Sequence, residues 1–172
     1  MEQSLEKKKY LIPFSGLKLG EHLFEFKIED TFFKEFNSTE IENAAILAKV
    51  LLNKKSNMLS LKFSITGKVE FACDICTENY FQNIEHEFDL IVKFSDYEHM
   101  DDTDEIIVLP TNEHTLSLAQ QLYEFIHLSL PSKRVHEDED NCNQDILEKI
   151  DELSYREPEQ SDKRWDSLKK LK

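Results

Sequence analysis

"LSLKFSITGKVEFACDICTENYFQNIEHEFDLIVKF", residues 59–94, decides the fold, because two strand-like alternations meet in it around a close pair of cysteines. Leu59, Leu61, Phe63 and Ile65 alternate with Ser60, Lys62, Ser64 and Thr66, and Val69 and Phe71 carry the odd-numbered face onward. Period two is the signature of a strand buried on one side. Gly67 is the expected place of a bulge or bend. Past the cysteines, Ile84, His86, Phe88, Leu90, Val92 and Phe94 share one face and alternate mostly with Glu85, Glu87, Asp89 and Lys93. The pattern is a hairpin with Cys73 and Cys76 at its tip.

Working backward, Ile46, Ala48, Val50 and Leu52 share a face and are joined through "NKKSN" to the strand at Leu59, which makes a first hairpin. Before it, "HLFEFKIE" alternates from Leu23 to Ile28, and "DTFFKEF" has the makings of a short helix capped by Asp30. Working forward, "IIVLP" reads as a short extended piece. "TLSLAQQLYEFIHLSLP" then places Leu118, Leu122, Phe125, Ile126 and Ser129 at helical spacing until Pro131 stops the run. From Ser132 onward apolar residues are few, and only "DILEKIDEL" (145–153) and "DKRWDSLKKL" (162–171) have helical periodicity. The fold class expected is α+β: a β-rich domain of antiparallel strands and hairpins, residues 1–131, with one covering amphipathic helix. Residues 132–172 form an acidic loop and a partly mobile C-terminal extension with short helices.

A chain of 172 residues suits one domain, which at this size buries about 70% of the surface of its unfolded state. No charged-then-apolar leader opens the sequence and no run approaches a membrane span, so a soluble, cytoplasmic protein is expected. In that compartment thiols stay reduced, and an odd count of three cysteines argues for metal or redox chemistry over a structural disulfide. The net charge of −14 opposes a surface that coats nucleic acid broadly. Charge is uneven, however. "SDYEHMDDTDE" (95–105) and "HEDEDNCNQDILEKIDE" (136–152) are strongly acidic, whereas Lys7, Lys8 and Lys9 follow the start and Lys163, Arg164, Lys169, Lys170 and Lys172 crowd the end. The acidic runs suit either simple solvation or a basic protein partner.

Strand leads into the cysteine pair and strand leads out. A thioredoxin-type pair would instead open a helix, whose N-terminal dipole lowers the thiol pKa. The setting here is that of a zinc-ribbon half-site, two thiolates gripping a tetrahedral ion from one tight turn. Four ligands complete such a site, and His136 and Cys142, soon after the helix, are the best remaining candidates. A bare knuckle without metal and a redox pair are the alternatives. His86, at an inward strand position, reads as a hydrogen-bonded core residue, and His127 is given no role. No Gly-rich phosphate loop, HExxH or GxSxG occurs, and no carboxylate stands in an apolar setting suited to acid–base work. An enzyme is not expected.

The order of these features, with "CDIC" at a hairpin tip, a helix ending "LSLP", a Cys/His loop after it, and a terminal "DKRW" followed by "LKKLK", resembles the YceD family, also called DUF177, from about Leu11 to Leu171. The resemblance implies a role in accumulation of 23S ribosomal RNA. In many bacteria the gene of a family member adjoins that of a small, basic zinc-ribbon protein of the large ribosomal subunit. Cys73 and Cys76 match the family's first cysteine pair, Leu130 and Pro131 the end of its helix, and Cys142 the first member of a second pair. The second member of that pair is missing from "NCNQDILEK", which leaves His136 or a water as the fourth ligand of a structural zinc. Lys163 stands where the family's terminal motif has proline, while Asp162 can still cap a helix with Trp165, Leu168 and Leu171 on one face.

Tryptophan and arginine are enriched at binding hot spots, so Asp162, Arg164, Trp165, Lys169 and Lys170 are the expected partner-binding residues. The reading is a non-enzymatic ribosome-biogenesis factor of the large subunit that binds precursor 23S rRNA, a basic ribosomal protein, or both, with no membrane and no small-molecule substrate. The competing reading is a redox or zinc-sensing regulator acting through Cys73 and Cys76.

Overall fold

The computed structural model describes residues 8–38, 40–96, 105–137 and 141–154. Among the described residues seven strands form, β1 (Leu11–Ile12), β2 (Gly20–Glu29), β3 (Asn43–Lys54), β4 (Met58–Ala72), β5 (Asn79–Phe94), β6 (Ile106–Leu109) and β7 (Leu116–Ser117). Three α-helices accompany them, α1 (Asp30–Glu35), α2 (Ala119–Leu128) and α3 (Gln144–Leu153). Residues up to Val135 make one compact unit and those from His136 a second. Among the described residues no helix is long and apolar enough to cross a membrane. Residues 97–104 of the first acidic run lie outside the described residues.

The first unit is built on a five-stranded sheet ordered β2-β3-β4-β5-β6. Both hairpins expected from the alternation are present, β3 pairing β4 and β4 pairing β5 antiparallel. The sheet is not wholly antiparallel, because β6 lies parallel to β5, with Ile91 opposite Ile106. Gly67 corrects a further expectation. It sits opposite Ile46 on one side and Ile84 on the other with no residue skipped in either register, so β4 runs through it without a bulge. The glycine is needed for closeness instead: a Cβ there would stand 2.3 Å from the carbonyl oxygen of Ala45.

One face of the sheet carries the core. Ile46, Ala48, Val50 and Leu52 on β3, and Leu59, Leu61, Phe63 and Ile65 on β4, are all buried, as their alternation requires. Helix α2 lays Leu122, Phe125 and Ile126 on that face, with the Phe125 ring stacked on Phe88 at 4.4 Å and edge-on to Phe63 at 5.0 Å. Burying each such ring is worth about 1.5–3 kcal/mol. The covering layer is larger than one helix. Phe32 and Phe33 of α1 are buried, Phe36 after it stacks on Tyr123 at 4.4 Å, and the small β1–β7 sheet brings in Ile12 and Leu116. The Lys54 ammonium donates to the carbonyls of Phe14 at 2.7 Å and Leu17 at 2.9 Å, tying the end of β3 to this layer.

Two side chains differ from expectation. Asp30 does not cap α1; it occupies the first helical position and accepts from Lys34 Nζ at 2.6 Å, one turn on. His86 is no core residue. It shares the face of Phe88 but is exposed, its ring 6.1 Å from that of Phe88, because the cover supplied by Phe125 falls on Phe88 and Phe63 and leaves the imidazole in water. His127 is packed near Tyr123 and Phe33, and its Nδ1 donates to the carbonyl of Tyr123 at 2.8 Å.

In the second unit α3 starts at Asn143, whose side-chain oxygen accepts from the amides of Asp145 and Ile146, a standard N-cap.

Candidate metal centre

The tip of the β4–β5 hairpin is shaped by its own backbone. The Cys73 amide donates to the Glu78 carbonyl at 2.9 Å and the Thr77 amide to the Cys73 carbonyl at 3.0 Å, which closes the turn. Closing it in so few residues puts Thr77 at φ 61°, in the left-handed region that a side chain rarely adopts. The Ile75 amide points at Cys73 Sγ from 3.4 Å, the kind of donor that complements a ligating thiolate. Such a turn leaves both sulfurs on its inner side. Cys73 is 2% exposed and Cys76 fully buried, and neither is in a disulfide.

The segment after Pro131 is fixed beside this tip by Arg134. Its amide donates to Asp74 Oδ2 at 2.8 Å, and its carbonyl accepts from the Asp74 amide at 2.7 Å. Its guanidinium lies over the Phe71 ring at 5.4 Å and donates to Glu40 at 2.9 Å. Arg134, Asp74 and Glu40 were not singled out in the sequence. The available signal was an arginine two residues before the candidate ligand His136 and an aspartate inside the knuckle.

His136 and Cys142 meet through Nδ1 and Sγ at 3.3 Å. Each of Cys73, Cys76, His136 and Cys142 offers one ligand atom, and these atoms all lie within 4.8 Å of one another. Tetrahedral zinc with its usual Zn–S and Zn–N lengths sets ligand atoms about 3.5–3.8 Å apart. The donor set fits such an ion, three soft thiols and one imidazole, and shifts of about 1 Å in the longer separations would complete it. After Cys76 the chain enters a strand, so the helix N-terminus on which a thioredoxin-type pair depends is not found at this turn.

Hydrogen bonds from Lys34 to Asp30, from Thr111 to Asp96, and from the His114 amide and Thr115 to Glu113 hold these exposed groups below their ordinary values. The candidate partner-binding residues Asp162, Arg164, Trp165, Lys169 and Lys170 lie outside the described residues.

The order of strand, knuckle, strand, covering helix and Cys/His segment coincides with a family pattern. The model of the family described as "Large ribosomal RNA subunit accumulation protein YceD" matches residues 61–172. The chain belongs to the YceD family. The match opens inside β4, later than the Leu11 expected from the sequence, and takes in all four clustered Cys and His residues as well as the C-terminal stretch. No curated protein and no solved structure matches the chain. The part that the YceD model covers thus includes the whole Cys/His cluster, and the strands before it complete the sheet.

Proposed function

We propose that this protein supports accumulation of the large-subunit ribosomal RNA as a cytoplasmic binding protein without catalytic activity of its own. The observation that carries this reading is the YceD match over residues 61–172. Residues 1–131 serve as the scaffold and residues 132–172 as the extension that meets the partner. Cys73, Cys76, His136 and Cys142 hold a structural zinc; bound there, the ion offsets most of the charge of three thiolates and links the hairpin tip to the segment after the helix. The acidic surface screens a basic ribosomal protein until assembly, and the basic C-terminal residues contact precursor 23S rRNA.

The test is removal of residues 162–172, which leaves every buried residue of the sheet and of α2 in place. The truncated protein is expected to melt close to the full-length temperature, to lose co-sedimentation with large-subunit precursors, and to leave 23S rRNA low in cells that carry it as their sole copy. Trp165→Ala alone should account for much of the loss. Retained association and normal 23S rRNA would overturn the assignment of the tail.

A further inference from the structure

Strand β2 is one edge of the large sheet, and among the described residues its outer side bonds to no strand and to no other backbone. Such edges are usually blunted by shortness, proline, a bulge, a covering element or charge. The first three are absent here. Strand β2 is ten residues long, has no proline, and runs beside β3 from Gly20 to Glu29 without a skipped residue. Cover is incomplete as well. Core-facing residues of β3 and β4 are buried from Ile46 to Leu52 and from Leu59 to Ile65, whereas on β2 only Ile28 is, and His22, Phe24 and Phe26 are half-buried. Their packing stops where a next strand would lie.

Charge remains, and on β2 it is self-complementary. The outward row is Glu21, Leu23, Glu25, Lys27 and Glu29, all exposed. Glu25 lies 3.8 Å from Lys49 of β3, while Glu21, Lys27 and Glu29 make no ion pair among the described residues. Laid antiparallel with Phe24 opposite its own copy, two β2 strands set Glu21 of each opposite Lys27 of the other. Leu23 then stands opposite Glu25, the acid that Lys49 holds, and on the core side Phe24 meets Phe24 and Phe26 meets His22. Each half-buried ring gains the neighbour it lacks. Centring the pair on Leu23 or on Glu25 sets acid opposite acid, and centring it on Phe26 gives Lys27 only Glu25, which is already paired. We propose that β2 is the edge along which two copies of this chain join, antiparallel, into one continuous sheet with Phe24 on the two-fold axis. The added ladder of backbone bonds supplies the affinity and the two Glu21–Lys27 pairs set the register. A uniformly basic strand fits less well, since Lys27 stands in the row. The net charge of −14 on each chain opposes the association and keeps it weak. This interface is independent of the proposed function.

The test is sedimentation equilibrium of the full-length protein over a concentration series, which should show monomer in exchange with dimer. Lys27→Glu should weaken dimerisation about tenfold, because two attractive pairs become repulsive and each is worth a few-fold. Glu21→Lys/Lys27→Glu should restore it, with all three proteins melting alike since both positions are exposed. A photo-crosslinking residue in place of Leu23, which is 62% exposed, should join isotopically heavy chains to light ones within residues 24–26. A protein that stays monomeric across the series, a dimer that ignores Lys27→Glu, or a crosslink that lands off β2 overturns the proposal. A dimer weakened by Lys27→Glu and not rescued by the double exchange overturns the register. In cells, a crosslink from position 23 to a different protein, with none to a second copy, overturns the choice of occupant.

Discussion

The two hairpins share β4 and close in different ways. Between β3 and β4 the turn is local: the Lys55 amide donates to the Met58 carbonyl at 3.0 Å, and Lys55, Ser56 and Asn57 remain exposed. Between β4 and β5 the turn buries two thiols, holds Thr77 in a rare conformation and, through Asp74, both accepts from the Arg134 amide and donates to its carbonyl. A hairpin needs only the first kind of closure. Burial and strain beyond that need mark a turn shaped for something besides reversal of the chain, and a bound ion is what the donor set suits.

The largest effect should separate these two tips. Cys76→Ser is expected to destabilise the metal-loaded protein by more than about 4 kcal/mol, in the class of changes that remove a structural metal. Lys55→Ala should stay within about 0.5 kcal/mol. Chelator should lower the melting temperature of the native protein to that of Cys76→Ser and leave the variant where it was. Elemental analysis should find about one zinc per chain in the first and none in the second. Equal melting of loaded and chelated protein would break the contrast.

The contrast also explains what the sequence could tell. Period-two alternation from Ile46 to Phe94 is a local signal, and it located both hairpins, the core face and the cysteine tip. The same alternation misplaced His86, since it reports which face a residue takes but not how far the covering layer extends. The layer itself was under-read because α1 is one short helix and β1 and β7 are two residues each, too brief for periodicity. The parallel pairing of β6 is a long-range choice with no local mark. For the site, spacing named Cys73 and Cys76 as a pair. Their nearness to His136 and Cys142 depends on where the chain goes after α2, and Arg134, which steers it through Asp74, looks in sequence like any surface arginine.

Gly67 joins the two hairpins, and its replacement should cost less than losing the ion but more than any turn change. In Gly67→Ala the new methyl would meet the Ala45 carbonyl and the Ile46 Cα at 2.3 and 2.7 Å, both backbone, so the strands must part. A loss of about 2–3 kcal/mol is expected from denaturant unfolding. A loss below about 1 kcal/mol would show that β3 and β4 can separate there without penalty. Arg134→Ala comes next, at about 1 kcal/mol, the sum of a partly exposed ion pair and a ring contact. Its more telling readout is metal affinity, which should fall by more than that loss of stability accounts for.

The smallest effect concerns a third closure, made by side chains where β5 and β6 run parallel and no tight turn can join them. Asp96, just past β5, accepts the Thr111 hydroxyl and, at 2.9 Å, the Thr111 amide, just past β6, and so pins together the adjacent C-terminal ends of the parallel pair. The hydroxyl bond first, then the amide, hold the Asp96 carboxyl below its ordinary value of 3.8, against a small opposing effect of burial. A carboxyl whose folded pKa lies below its unfolded one stabilises the fold above the unfolded value, and that stabilisation is lost as pH falls through the folded one. Asp96→Asn should therefore melt slightly lower than the native protein by a constant margin at pH above about 5, and the margin should close as pH drops below about 4. A margin that persists at acid pH would mean that the contribution of Asp96 is packing or turn geometry and that its charge is incidental. A margin that vanishes places the closure of the parallel pair on an ionised side chain, where the first hairpin relies on backbone alone.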